Sequence, residues 1–269
     1  MTEKGIIVAC PQKYEHLLLN NITFLRNNNC NLPIEIWEIG KEISDNIRLT
    51  LNLFDNISFQ NVLNYSNNPN HWKGFQIKTF MLYHNKFKHV LLMDADTSFY
   101  KNPEFIFNNP NYINTGTYFF HDLPFWTFNL KNAIDDKNFI PPNKFFSLDF
   151  FNKRKTFIKS LLPSKPHNFP SLWNYIYDSN PPLNPVLEAL QDSGVVFINR
   201  DLHKNSIEFI HYLNTYHKIT YQFVAGDKET FWLGILMANN NYYFHPQFPQ
   251  QVKRKITHFY NNEPFWKHK

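Results

Sequence analysis

Apolar positions along the chain fall into short unbroken runs that alternate with stripes at helical spacing. The run from Gly5 to Cys10 predicts a first buried strand, closed by Pro11, which has no N–H to extend a ladder. From Tyr14 to Arg26, Leu17, Leu18, Ile22 and Leu25 form one helical stripe, and the polar run Asn27 to Asn31 closes it. Ile34 to Ile39 predicts a second strand and Ile57 to Val62 a third. A second stripe, Ile77, Phe80, Met81 and His84, carries Lys78 on its flank and leads into His89 to Met93, where no polar alternation interrupts the run. Such a run suits a strand covered on both faces. Thr115 to Phe120 and Val195 to Asn199 predict two more strands. Ile207, Ile210 and Leu213 share one helix face, and another helix follows Gly226 and Asp227. Strand alternating with helix implies an α/β fold with a mostly parallel, helix-flanked sheet and right-handed crossovers.

Two carboxylates, Asp94 and Asp96, follow the unbroken run directly. In extended chain, residues two apart project to one side, so both acids leave a buried strand end together. Two like charges in that position are costly unless partnered, and a hard divalent cation with oxygen ligands is one partner that removes the cost. The other reading is a surface turn in which one acid caps the next segment. Ligand sites in open α/β sheets lie at the carboxyl ends of the strands, where this pair falls. The chain has no glycine-rich phosphate loop, so any phosphates would be held by the metal and by side chains.

The block from Lys78 through the Asp94–Asp96 pair to Phe107 resembles the nucleotide-sugar glycosyltransferases of the GT-A (Rossmann-like) fold. It is most similar to the fungal Golgi α-mannosyltransferase family and more distantly to glycogenin-type enzymes. Asp192 to Asn199 is similar to the family's second signature strand, and Gly226 to Trp232 to its third, so the resemblance covers roughly residues 70 to 235. It implies a hexosyl transfer from a nucleotide-diphosphate sugar, with GDP-mannose favoured over a UDP-sugar, to a hydroxyl of a glycan or glycosylated acceptor, with retention. It also implies Mn2+ or Mg2+ bound by Asp94, Asp96 and a histidine, for which His258 is the candidate and His245 its competitor. Donor contacts would come from Lys78, Asp94, Pro11, Tyr14 and Gly194. Asp192 would lie against the donor sugar and Asp227 near its reacting face, although Asp227 also fits an ordinary helix N-cap. The two acids would orient the sugar while the leaving phosphate accepts the hydroxyl proton; Asp227 as a nucleophile is the other route. Asn261 and Glu263 stand where glycogenin-type relatives carry a glycine and a lysine, which departs from their diphosphate contact.

Composition narrows this picture without redirecting it. With 269 residues, 43% of them hydrophobic, the chain supports one sizeable core, read as a single domain. Within it, 1–122 is a nucleotide-binding half, 123–185 an insertion on the acceptor side and 186–269 the donor-sugar and acceptor half. The insertion is rich in proline (Pro124, Pro141, Pro142, Pro163, Pro166, Pro170, Pro181, Pro182, Pro185) and in aromatics, which would either stack on sugars or form a satellite core. His121 and Asp122, just before it, would line the acceptor site or be solvated. A net charge of +5 suits an anionic ligand, but the lysines form no dense run, so nucleic acid is not an expected partner. Cys10 and Cys30 make no disulfide framework, and no apolar run approaches the ~20 residues of a membrane span, which points to a soluble, cytoplasmic enzyme. The excess of Asn, Lys, Ile, Phe and Tyr is that of an AT-rich genome, such as a large DNA virus. Two rival classes are a haloacid-dehalogenase-type phosphatase, which also uses an Asp-x-Asp but on its first strand, and a non-catalytic glycan- or nucleic-acid-binding module.

Overall fold

The computed structural model describes residues 3–123, 148–178, 190–253 and 255–268. Its first half runs β1 (Lys4–Ala9), α1 (Glu15–Asn27), β2 (Ile34–Glu38), α2 (Asp45–Leu51), β3 (Ile57–Asn61), α3 (Ile77–His84), β4 (His89–Asp94) and β5 (Ser98–Phe99). Then come α4 (Pro110–Thr115), β6 (Thr117–His121), α5 (Leu148–Leu161), β7 (Gln191–Asn199) and α6 (Lys204–Thr215). The chain closes with α7 (His217–Thr220), α8 (Lys228–Met237), β8 (Gln250–Val252), β9 (Lys255–Tyr260) and β10 (Glu263–His268).

The main sheet has the order β3-β2-β1-β4-β7-β6. Its first four strands are parallel, and β7 is antiparallel to both β4 and β6. This is the α/β architecture that the apolar runs imply. Period-two alternation sorts the central strands between two cores. Ile7, Val90, Leu92, Val196 and Ile198 pack with Phe80 and Met81 of α3, Ile207 and Ile210 of α6 and Phe231 of α8. Ile6, Val8, Leu91, Met93, Val195 and Phe197 pack with Leu18, Ile22 and Leu25 of α1 on the other face. Both faces of β4 are therefore covered, which is why its sequence shows no alternation.

Two features depart from the sequence reading. Strand β7 begins at Gln191 rather than Val195, and all nine of its residues are buried, so Asp192, Ser193 and Gly194 lie inside the sheet. The aromatics Phe169 and Trp173 of the described part of the insertion do not form a satellite core but join the main one, as do Ile158 and Ile176, with Trp173 edge-on to Trp232. Pro124, Pro141, Pro142, Pro181, Pro182 and Pro185 lie outside the described residues.

A second, antiparallel sheet, β5-β10-β9-β8, has no counterpart in the sequence reading. Strand β5 is two residues long and β8 three, too short for a periodicity to register. The pairs Trp266↔Phe99 and Lys267↔Ser98 bring the end of β10 beside the chain that has just left Asp96. Among the described residues no helix is long and apolar enough to cross a membrane.

Candidate active site

At the carboxyl ends of β1 and β4 the sheet opens into a cleft of about 660 Å3. Pro11 ends β1 here, at φ −62° and ψ 147°, and turns the chain so that Pro11 and Tyr14 form part of one wall. Asp94 is the last residue of β4, and Asp96 follows in the turn. Both line the cleft together with Lys78, Asp192, Gly194 and Asp227, so all eight donor, metal and catalytic candidates other than His258 share one cavity.

Lys78 is not a solvated flank residue. Helix α3 turns it inward, where it is 7% exposed. Its Nζ lies 2.8 Å from Asp94 Oδ1 and 3.5 Å from Asp227 Oδ2, and it donates to Ser193 Oγ at 3.1 Å. Burial alone would lower the Lys78 pKa, but the carboxylates of Asp227 and Asp94 outweigh it and push it up to about 12. The lysine therefore remains a fixed cation between two acids. Asp227 occupies the N-cap position of α8, yet its side chain makes no capping hydrogen bond. The buried ammonium draws the carboxylate away from the helix end. Burial raises the Asp227 pKa, and Lys78 opposes that rise.

Asp96 makes no ion pair among the described residues, and its pKa is raised by burial and by the neighbouring charge of Asp94. The imidazole that lines the cleft with this pair is His268, not His258. His258 is 1% exposed and stacks on Trp266 with ring centroids 3.7 Å apart and planes 6° apart. The cross-strand pair Trp266↔His258 sets that stack. Its Nε2 lies 2.9 Å from Asp192 Oδ2, and its Nδ1 is buried without a hydrogen-bond partner. The competitor, His245, sits in a separate contact, its Nδ1 2.8 Å from the Tyr118 hydroxyl.

Asp192 is enclosed by imidazoles. His268 Nε2 lies 2.7 Å and His258 Nε2 2.9 Å from the same oxygen, Oδ2, while Oδ1 accepts the Gly194 N–H at 2.9 Å. Burial would raise the Asp192 pKa, but the two histidines hold it well below the usual carboxylate range. Burial would lower the His268 pKa, and Asp192 reverses that, with smaller help from Asp94 and Asp96. A Cβ on Gly194 would stand 3.1 Å from Asp192 Oδ1 and 3.2 Å from Trp266 Cζ3, so any side chain here would crowd both. Nearby, Lys228 pairs with Asp122, and His121 stacks between Phe244 and Phe248.

Two sets of side chains could hold a divalent cation: Asp192, His258 and His268, whose ligand atoms lie within 4.8 Å of one another among the described residues, and the acids with the imidazole that lines the cleft. Asp94, Asp96 and His268 offer oxygen and imidazole ligands to the cleft, and four carboxylates (Asp94, Asp96, Asp192, Asp227) line it with the buried Lys78 and the half-buried Lys228. His268 was absent from the sequence reading, and Ser193 and Lys228 stood there only as members of signature blocks, with no role given. No local pattern marks His268, because the β5–β10 register alone brings it to the acids.

Comparison with known proteins gives the same fold. The model of a family provisionally described as mannosyltransferases matches residues 3–263. The chain is 28% identical over 299 aligned positions to the provisionally named α-1,3-mannosyltransferase MNN13 of Candida albicans, covering 97% of this chain and 36% of that protein. It is 26% identical over 254 positions to the α-1,3-mannosyltransferase MNT3 of Saccharomyces cerevisiae, covering 90% of this chain and 39% of that protein. The chain thus spans under half the length of these relatives. Core-mannan synthase A of Aspergillus fumigatus, solved in its Mn/GDP form, superposes with a TM-score of 0.54 at 10% identity over 93% of this chain and 74% of that one. At that identity the likeness concerns fold.

Proposed function

The chain belongs to the mannosyltransferase family whose model spans residues 3–263, and on that premise we propose that it transfers a mannosyl group from GDP-mannose to an acceptor hydroxyl, retaining anomeric configuration. The acceptor would be a glycan or a glycosylated molecule, and a UDP-sugar is the second candidate donor. The observation that carries this reading is the convergence of Asp94, Asp96 and His268 with the Lys78–Asp227 pair in one cleft at the sheet's carboxyl edge.

Asp94, Asp96 and His268 would hold Mn2+ or Mg2+, which supplies charge neutralisation for the departing nucleoside diphosphate. Pro11 and Tyr14, which line the cleft, would flank the base. Glu42 lines the same wall and is oriented by the Ile39 N–H, which donates to its Oε2 at 2.8 Å. A carboxylate accepts both N1–H and the exocyclic amine of guanine, which supports GDP over UDP. Lys13 and Lys73 also line the cleft and offer cations to the phosphates. Lys78 keeps Asp94 and Asp227 in place, and Asp227 orients the sugar and stabilises the positive charge that develops on it. The phosphate oxygen that leaves takes the acceptor's proton, so no separate base is needed. Asp94 ends the fourth strand of a GT-A sheet, not the first strand of a phosphatase, which sets this reading ahead of the dehalogenase one.

The test is donor hydrolysis against a panel of GDP- and UDP-sugars, with Mn2+ and with chelator, for the native chain and Asp96→Ala. Metal-dependent release of GDP, lost in the variant, is the expected result. Release that persists in chelator, or no donor bound at all, would remove the metal-dependent transferase from consideration.

A further inference from the structure

We infer that Asp192 is a positioning residue for the metal site, reaching the ion only through His268, and that His258 buttresses it from the buried side. The inference rests on the metal-dependent transferase reading and assigns Asp192 a role other than contact with the donor sugar.

An ionised carboxylate has no proton to donate, so both histidines must donate their Nε2–H to Asp192 Oδ2. Oδ1 is occupied by the Gly194 N–H. Asp192 is 1% exposed, and both of its oxygens are already engaged within its own wall. For His268 the consequence is a fixed tautomer. With Nε2 carrying the proton, the lone pair is on Nδ1, and this ring lines the cleft with Asp94 and Asp96. A carboxylate that holds one imidazole nitrogen while the other meets a metal fixes ring orientation and raises ligand basicity. His258 cannot play the same part. Its ring is clamped on Trp266, does not line the cleft and leaves Nδ1 buried without a partner. What His258 supplies is a second N–H on Oδ2, which keeps the carboxylate from rotating away from His268.

The test is Mn2+ binding followed by the electron paramagnetic resonance of free Mn2+, with and without GDP, so that no turnover is required. Thermal melts of each variant check folding. His268→Gln should abolish tight Mn2+ binding. Asp192→Asn should weaken it about tenfold to a hundredfold, the usual effect of removing an outer-shell carboxylate. His258→Gln, which can still donate to Asp192, should bind within a few-fold of native, and His258→Leu should fall between that and Asp192→Asn. A folded Asp192→Asn protein with native Mn2+ affinity overturns the inference. So does a His258→Gln protein that loses Mn2+ while His268→Gln keeps it, because His258 would then be the ligand. If the native chain binds GDP but no Mn2+, the metal-dependent reading falls and this inference with it; if it binds Mn2+ normally and only the variants fail to respond, the inference alone is wrong.

Discussion

At the scale of single residues, the site is a set of buried charges that hold each other in place. Lys78 shows this best, since its ammonium lies between Asp94 and Asp227 with Ser193 completing its contacts. Replacing it by methionine keeps the volume and leaves two acids without their cation. Breaking a buried pair in this way costs about 3–5 kcal/mol. Lys78→Met is therefore expected to lose that much stability in urea denaturation, together with donor turnover; a loss below about 1 kcal/mol would mean that the lysine is solvated. Gly194→Ala tests the packing of the same wall. Its methyl would meet Asp192 Oδ1 and Trp266 within 3.2 Å, so a loss of about 1–3 kcal/mol is expected, the usual cost of overpacking. Local sequence made Asp94 and Asp96 legible as candidates, because acids at the end of an apolar run stand out, whereas Lys78 and Asp227 became candidates through the family resemblance. His268 carried no such mark.

Between elements, α6 and α8 approach closely. A Cβ on Gly234 would lie 2.5 Å from Ile210 Cγ1 and 2.8 Å from the Ile210 backbone nitrogen. In an exposed helix, glycine to alanine stabilises by about 1 kcal/mol. Here the sign should reverse: Gly234→Ala is expected to destabilise by several kcal/mol and to lower the thermal midpoint, since backbone must move to admit the methyl. An unchanged or raised midpoint would show that the helices can part cheaply. This contact bears on the site because α8 begins directly after Asp227, so the α6–α8 distance sets where that carboxylate stands. The α3–β4 unit was legible in the sequence as a stripe followed by an apolar run. The early start of β7 was not, because Asp192, Ser193 and Gly194 look like loop residues until the sheet on either side has paired them.

For the whole molecule, one buried acid outside the cleft makes a separable contribution to the expected pH response. Glu229 is fully buried on α8, accepting from the Leu190 N–H and from the Trp232 indole, and burial raises its pKa from 4.5 to about 7. The folded chain then holds a proton that the unfolded chain has released. Its contribution is complete below about pH 4.5 and is lost as pH rises to about 7, changing little above that. The total is about 3 kcal/mol at roughly 1.4 kcal/mol per pKa unit. Denaturation across this window should show native stability falling with pH relative to Glu229→Gln, whatever the offset between them. Parallel curves would mean that Glu229 titrates normally. GDP with Mn2+ should raise the thermal midpoint of the native chain, and chelator should reverse the part due to the metal.

The sequence by itself determined which segments fold and into what: unbroken apolar runs that become two-faced strands, helical stripes that cover them, and two acids at a strand end. Those are short-range properties, set by residues within one or two turns or pleats of each other. The family was legible for the same reason, since its signatures are contiguous blocks. Tertiary structure alone decided which imidazole meets those acids. His258 and His268 stand ten positions apart in one hairpin, and either could have faced the cleft. The choice came from the β5–β10 register and from the Trp266 stack, which carries His258 into the interior behind Asp192 and leaves His268 lining the cleft. Strand pairing between segments more than a hundred and fifty residues apart is a long-range property, and no window along the chain contains it.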